Sequence, residues 1–220
     1  MTASGAFQGL AQLPFVRTAS SLARRVESWA GDRWMNVDTG AAVRFGAPRG
    51  LNGDACDFQT NAHTTIQQAI RTVALQPTDV VFVMGCGRGR AVCHFARQPV
   101  RKVVGIELDP DLCEAARANA WKLRGRVAPI EIRQADAATA DVSDGSVFFL
   151  FNPFGERTLR TVMSHIDATR AHGGKRTVIV YANPTHDEVL QESAWLIRCH
   201  DYRGLGGLRV TVYCAPAAQP

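Results

Sequence analysis

Three short stretches of the chain carry residue types that could do chemistry. The first is Gly85-Cys86-Gly87-Arg88-Gly89-Arg90, which follows an apolar run ending at Met84 and precedes a helical pattern. Glycines at a strand end let the backbone turn sharply and approach a ligand that side chains would exclude. The helix start beyond them offers free N–H groups to an anionic group. The second stretch, Val103-Val104-Gly105-Ile106-Glu107, ends another apolar run on a carboxylate. A carboxylate there can accept both hydroxyls of a ribose, because adjacent strand ends flank one crevice. The third, Gln134-Ala135-Asp136-Ala137, places an acid where it could accept from the exocyclic amine of a purine. Together the three describe a site for an adenosine with an amino-acid tail. A dinucleotide fingerprint, Gly-x-Gly-x-x-Gly, would instead need a glycine where Arg90 stands.

Alternating elements must position these residues. Ile66, Ala69, Ile70, Val73 and Ala74 recur at helical spacing, with Thr60 or Asn61 as the expected cap and Pro77 beyond the end. Strands are expected at 80–84, 102–107, 130–133, 146–151 and 177–182, several of them continuous apolar runs of the kind buried on both faces. Helices are expected between them at 90–97, 109–121 and 158–169, with a further one at 187–194. Asp109 and Pro110 mark a helix start. Residues 196–202 and 208–214 read as a closing hairpin. The expected fold is therefore α/β, a doubly wound seven-stranded sheet, mostly parallel with an antiparallel C-terminal strand. Residues 32–58 read as turns and a short hairpin. Before them, Phe15, Val16, Leu22, Val26 and Trp29 form an apolar stripe, expected to cap the domain as an amphipathic helix.

Residues 77–151 resemble class I S-adenosylmethionine-dependent methyltransferases. A Gly-Cys-Gly-x-Gly turn, an Ile-Glu-Leu-Asp strand end and an Ala-Asp-Ala loop occur in that family's order. The resemblance implies a Rossmann-like domain over 61–216 and an N-terminal helical and hairpin cap over 1–60. It implies S-adenosylmethionine as cofactor, with Met84, Gly85, Cys86, Gly87 and Gly89 around the methionine part. Glu107 and Leu108 would then hold the ribose, and Asp136 and Ala137 the adenine. One position departs from the family: an acid usually stands two residues before the first glycine, and here it is Val83. Asn152-Pro153-Phe154-Gly155 resembles the Asn-Pro-Pro-Tyr/Phe signature of amino-methylating members and the Asn-Asn-Phe segment of non-SET histone-lysine methyltransferases. In the former an Asn side chain and the following carbonyl align a planar amine, so Asn152 is the expected catalytic and cofactor-side residue. Pro153 and Phe154 are expected at the substrate, with Phe58 and Thr60 as a lid and His186 as a candidate base.

The acceptor is read as nitrogen on the strength of Asn152, with oxygen left open. A small molecule or protein is expected rather than nucleic acid. Lys+Arg 25 against Asp+Glu 20 gives only +5, and that excess falls in 80–126, on the cofactor half. No stretch approaches the roughly 20 apolar residues of a membrane span. Six cysteines without a Cys-x-x-Cys pair imply free thiols in a reducing, cytoplasmic setting, and no Cys/His grouping has metal-binding spacing. The acid-free, Arg-containing first 26 residues also fit a transit peptide superficially. A monomer or homodimer is expected. A nicotinamide-dependent oxidoreductase and a non-catalytic cofactor-binding regulator stand as alternatives.

Overall fold

The computed structural model describes residues 14–40, 50, 52–56, 60–171, 176–204 and 207–215. Strands β1 (Val80–Met84), β2 (Lys102–Glu107), β3 (Ile130–Gln134), β4 (Val147–Phe151) and β5 (Val178–Ala182) alternate with helices. These are α3 (Arg90–Phe95), α4 (Pro110–Lys122) and α5 (Glu156–Ala171). Helices α1 (Pro14–Met35) and α2 (His63–Val73) precede them, and α6 (Asp187–Gln191), β6 (Ile197–Arg203) and β7 (Arg209–Cys214) close the chain.

The seven strands form one sheet in the order β3-β2-β1-β4-β5-β7-β6. The first five are parallel, and β7 runs antiparallel between β5 and β6. Strand β1 is fully buried, and its side chains alternate between two cores. Val81 and Val83 join the core beneath α2, α3 and α4, whereas Val80, Phe82 and Met84 join the one beneath α5 and α6. The chain winds outward from β1 through β2 to β3, then returns to β4. That reversal opens a crevice beyond the C-terminal ends of β1 and β4. Register brings the ends level: Met84 pairs with Ile106 and with Leu150, and Glu107 with Gln134.

Helix boundaries differ from expectation in instructive ways. Asp109 caps α4 as expected, accepting from the Asp111 and Leu112 N–H groups. Helix α2 begins at His63, and neither Thr60 nor Asn61 caps it: the N-cap is Ala62, with no side-chain bond. Thr60 Oγ1 donates instead to the Thr39 carbonyl at 3.1 Å. Helix α1 extends through residues read as turns, as far as Met35. The expected hairpin falls partly outside the described residues; within them Ala55 makes a single antiparallel bridge to Phe154.

The expected packing face of α1 is inverted at Leu22, Val26 and Trp29, the side chains of Phe15 and Val16 lying outside the described ones. Leu22, Val26 and Trp29 are more than half exposed, as is Trp34. The face turned inward carries Ser28, Gly31, Asp32 and Met35. Gly31 is required there, because a Cβ would sit 2.3 Å from the His63 ring. Burial of Met35 supplies apolar packing, but a polar cluster fixes the orientation. Arg90, only 5% exposed, donates to Thr39 Oγ1 at 2.6 Å, to the Asn61 carbonyl at 2.7 Å and to Ser28 Oγ at 2.6 Å. Its Nη2 also lies 3.3 Å from Asp32 Oδ2. His63 bridges Asp32, at 3.1 Å, to His94 Nε2, at 2.7 Å. Burial alone would raise the Asp32 pKa; hydrogen bonds from His63 and Thr39 and the charge of Arg90 outweigh it and hold it at about 2. Burial, then the neighbouring His63 and Arg90, lowers His94 to about 3.

Candidate active site

The site is assembled from the ends of β1, β2 and β4. Gly85 has φ +67°, and a Cβ there would lie 2.4 Å from Pro153 Cβ. The glycine therefore serves the close approach of two strand-end turns, one carrying the Gly-rich motif and the other Asn152-Pro153. Gly87 donates its N–H to Glu107 Oε2 at 2.8 Å. Gly89, at φ +87°, lies against α4, where a Cβ would stand 3.3 Å from Ala116 Cβ. So the first glycine borders a cavity, while the second organises Glu107 and the third permits helix packing.

Glu107 is 8% exposed and accepts two further N–H groups, from Leu108 at 2.9 Å and Asp109 at 3.0 Å. Burial raises its pKa, and these three backbone donors oppose the rise. A carboxylate offers about four acceptor sites, so three are filled and one is left for a ligand hydroxyl. Glu107 is thus both a backbone organiser and a wall of the cavity.

That cavity has a volume of about 210 Å³. Gly85, Glu107, Leu108, Asp136, Ala137, Asn152, Pro153 and Phe154 all border it. Asp136 Oδ1 accepts from the Ala138 N–H at 2.8 Å, which fixes the turn after β3. Asn152 adopts φ +42°, and its Oδ1 accepts a short hydrogen bond from Thr185 Oγ1. The Pro153 carbonyl accepts from the Cys56 N–H at 3.0 Å. Both acceptors of the Asn-Pro pair are therefore already half used.

Other expected residues lie elsewhere. Met84 and Cys86 border a smaller adjoining cavity together with Thr60, and Met84 is fully buried. The Cys86 thiol is no nucleophile, since burial and then the Glu107 charge push its pKa well up. Phe154 is 5% exposed and packs into the core, so it presents little face for stacking. His186 does not border the cavity; its Nδ1 lies 3.4 Å from Glu188 Oε1. Away from the cavity lining, Glu156, His186 and Glu188 converge with ligand atoms within 4.8 Å, but Glu156 is engaged by Arg160 at 2.8 Å. Phe58 lies outside the described residues.

The largest omission in the sequence reading is the pair of pieces 50 and 52–56. Gly50, Asp54, Ala55 and Cys56 wall the cavity opposite the strand ends. Asp54 accepts from the Thr158 hydroxyl at 2.5 Å and from its N–H at 3.1 Å, and Asn52 donates to the same hydroxyl at 3.0 Å. The segment is thereby latched to the first turn of α5. Asp54 had no periodicity around it and a partner 104 residues away, so nothing local marked it.

A family model described as a methyltransferase domain matches residues 81–174, which includes the glycine turn, Glu107, Asp136 and Asn152. Residues 81–174 are similar to that methyltransferase domain. None of the curated proteins matches the sequence significantly. Among solved structures, an RNA methyltransferase from Salinibacter ruber with bound S-adenosyl-L-homocysteine is 24% identical. That likeness covers 74% of this chain and 97% of that one, with a TM-score of 0.55. Magnesium protoporphyrin IX methyltransferase from Synechocystis, with its methyl donor bound, is 12% identical over 70% of this chain and 79% of that one, TM-score 0.55. A ribosomal protein L11 methylase from Lactobacillus delbrueckii is 14% identical over 70% and 80%, TM-score 0.55. These likenesses show the fold. Among the described residues, no helix is long and apolar enough to cross a membrane.

Proposed function

We propose that the methyltransferase domain moves the sulfonium methyl of S-adenosylmethionine to a nitrogen presented at Asn152. In this reading the adenine lies at Asp136 and Ala137, a ribose hydroxyl bonds Glu107, and the methionine part runs past Gly85. The observation that carries the reading is the closeness of Gly85 to Pro153, which puts a donor at the glycine turn beside the Asn152 turn. Asn152 Oδ1 and the Pro153 carbonyl each keep one lone pair beyond those taken by Thr185 and Cys56. Two such acceptors orient the N–H groups of an amine so that its own lone pair faces the methyl carbon.

The nitrogen lone pair forms the new N–C bond as the C–S bond breaks. Sulfur keeps that electron pair and becomes a neutral thioether, and the acceptor nitrogen then loses a proton to solvent. In-line positioning and exclusion of water supply the acceleration, so no strong acid or base is needed in the wall. The unit so described spans 61–216, and residues 1–60 are its extension, with Gly50, Asp54, Ala55 and Cys56 as the outer wall of the cavity.

The test uses S-adenosylmethionine with an isotopically labelled methyl and a fractionated cell extract as the source of acceptors. Mass spectrometry of the labelled product should place the methyl on nitrogen. Asn152→Ala should lower the labelling rate by about 100-fold, the scale for loss of a positioned polar contact, while homocysteine-nucleoside affinity stays. A methyl found on oxygen, or undiminished labelling by the variant, defeats the nitrogen assignment.

A further inference from the structure

Beside the main cavity lies a smaller one of about 30 Å³, and Gly85 and Phe151 are walls of both. It continues the site past the glycine turn. Space of that size holds one or two water-sized groups. Val83 contributes an apolar wall, so this end of the site lacks a carboxylate from β1. Asn61 stands in the same wall, 6% exposed, and its side-chain Oδ1 is buried with no hydrogen-bond partner.

A buried acceptor with no donor costs free energy and calls for a reason. Asn61 is held firmly enough to make a misplaced side chain a poor one. Its backbone carbonyl accepts from Arg90 Nη1 at 2.7 Å, and α2 begins two residues later. Arg90 does not satisfy the side chain, because its other nitrogens are committed to Thr39, Ser28 and Asp32. The orphaned oxygen needs a small N–H or O–H donor delivered through the cavity.

We propose that Asn61 Oδ1 accepts a hydrogen bond from the ammonium group of the amino-acid tail of the bound nucleoside. The inference rests on the methyltransferase reading and assigns the binding group that Val83 cannot supply. A neutral carboxamide recognises the ammonium by hydrogen bonding alone, without burying a second charge in the wall.

Asn61→Leu keeps the side-chain volume and removes the acceptor. Calorimetry would compare its affinity for S-adenosylhomocysteine with that for 5′-methylthioadenosine, which has the same adenosine and sulfur but no amino acid. The variant should bind the homocysteine nucleoside about tenfold more weakly, by the usual worth of a hydrogen bond to a charged group. Affinity for methylthioadenosine should be unchanged. The ligand-free variant should melt at a higher temperature than wild type, because the unpaired acceptor is gone. Equal weakening toward both nucleosides, or no weakening toward either, overturns the assignment. Should the Leu variant not fold, Asn61→Asp decides alone. It keeps acceptor oxygens and should retain the wild-type preference for the homocysteine nucleoside; loss of that preference overturns the proposal. Wild-type protein that binds neither nucleoside would defeat the underlying methyltransferase reading instead.

Discussion

At the β1–β2 corner, Glu107 gathers N–H groups from its two following residues and from the adjoining glycine turn. At the α1 junction, Arg90 gathers oxygens from residues 28, 32, 39 and 61, separated by long stretches of chain. Both assemblies are buried and polar, and they meet at the same turn, since Arg90 follows Gly89 directly. They differ in what they spend their polar groups on. The corner leaves acceptor capacity facing a cavity, whereas the junction uses nearly all of its capacity on itself. An assembly built to take a ligand is left incomplete, and one built to hold elements together is closed except at the Asn61 side chain, where it meets the small cavity.

The contrast is broken most severely at the junction. Arg90→Met leaves Asp32 buried without its cation, and loss of one partner of a buried pair costs about 3–5 kcal/mol. Urea unfolding should show a loss of that size; a loss under about 1 kcal/mol would mean that α1 is held by Met35 packing alone. Gly85→Ala acts at the corner and combines positive-φ strain with a clash against Pro153, so about 1–3 kcal/mol is expected. Here, however, nucleoside binding should disappear in the folded variant. The folded junction variant should still bind, weakened by no more than the roughly tenfold that Asn61 supplies, because Arg90 holds Asn61 but does not border the main cavity. The reverse assignment of those binding losses would contradict the division.

Acid separates the two regions more gently. His94 has a folded pKa near 3, below its ordinary 6.5, so the stability of its neutral form is complete above pH 6.5 and is lost as pH falls toward 3. Asp32, held near 2, adds stability above its ordinary 3.8 that is lost below it. Glu107 has the opposite sign. Its pKa is raised, so protonation relieves a burial cost in acid while removing the ionised acceptor from the cavity. The melting temperature should therefore begin to fall just below pH 6.5, and nucleoside affinity should fall separately, as Glu107 protonates above its ordinary 4.5. Melting that is flat from pH 7 to 5 would remove His94 from the account.

How much was readable follows from the same division. The β1 turn, Glu107, Asp136 and Asn152 each lie at or just beyond the C-terminal end of a strand, so strand pattern plus residue type points to one crevice. The closing β6–β7 pair and the Asp109 cap were legible for the same local reason. Arg90 reads as one basic residue among many, because its partners share no spacing with it. The α1 stripe misleads, since Leu22, Val26 and Trp29 satisfy helical periodicity while Gly31 and Asp32 set the packing through His63 and Arg90. Asp54 and Thr158 are joined only by tertiary proximity. The His186 expectation followed from its place after β5, but residues 183–186 turn its ring toward Glu188 and away from the cavity.

The central claim is that the corner is an adenosine site whose ligand carries an amino-acid tail. Titration calorimetry of the wild-type chain with S-adenosylhomocysteine and, separately, with NADH tests it most directly. The account predicts saturable one-to-one binding of the homocysteine nucleoside and no heat from NADH. Saturable binding of NADH with none of the homocysteine nucleoside would contradict it.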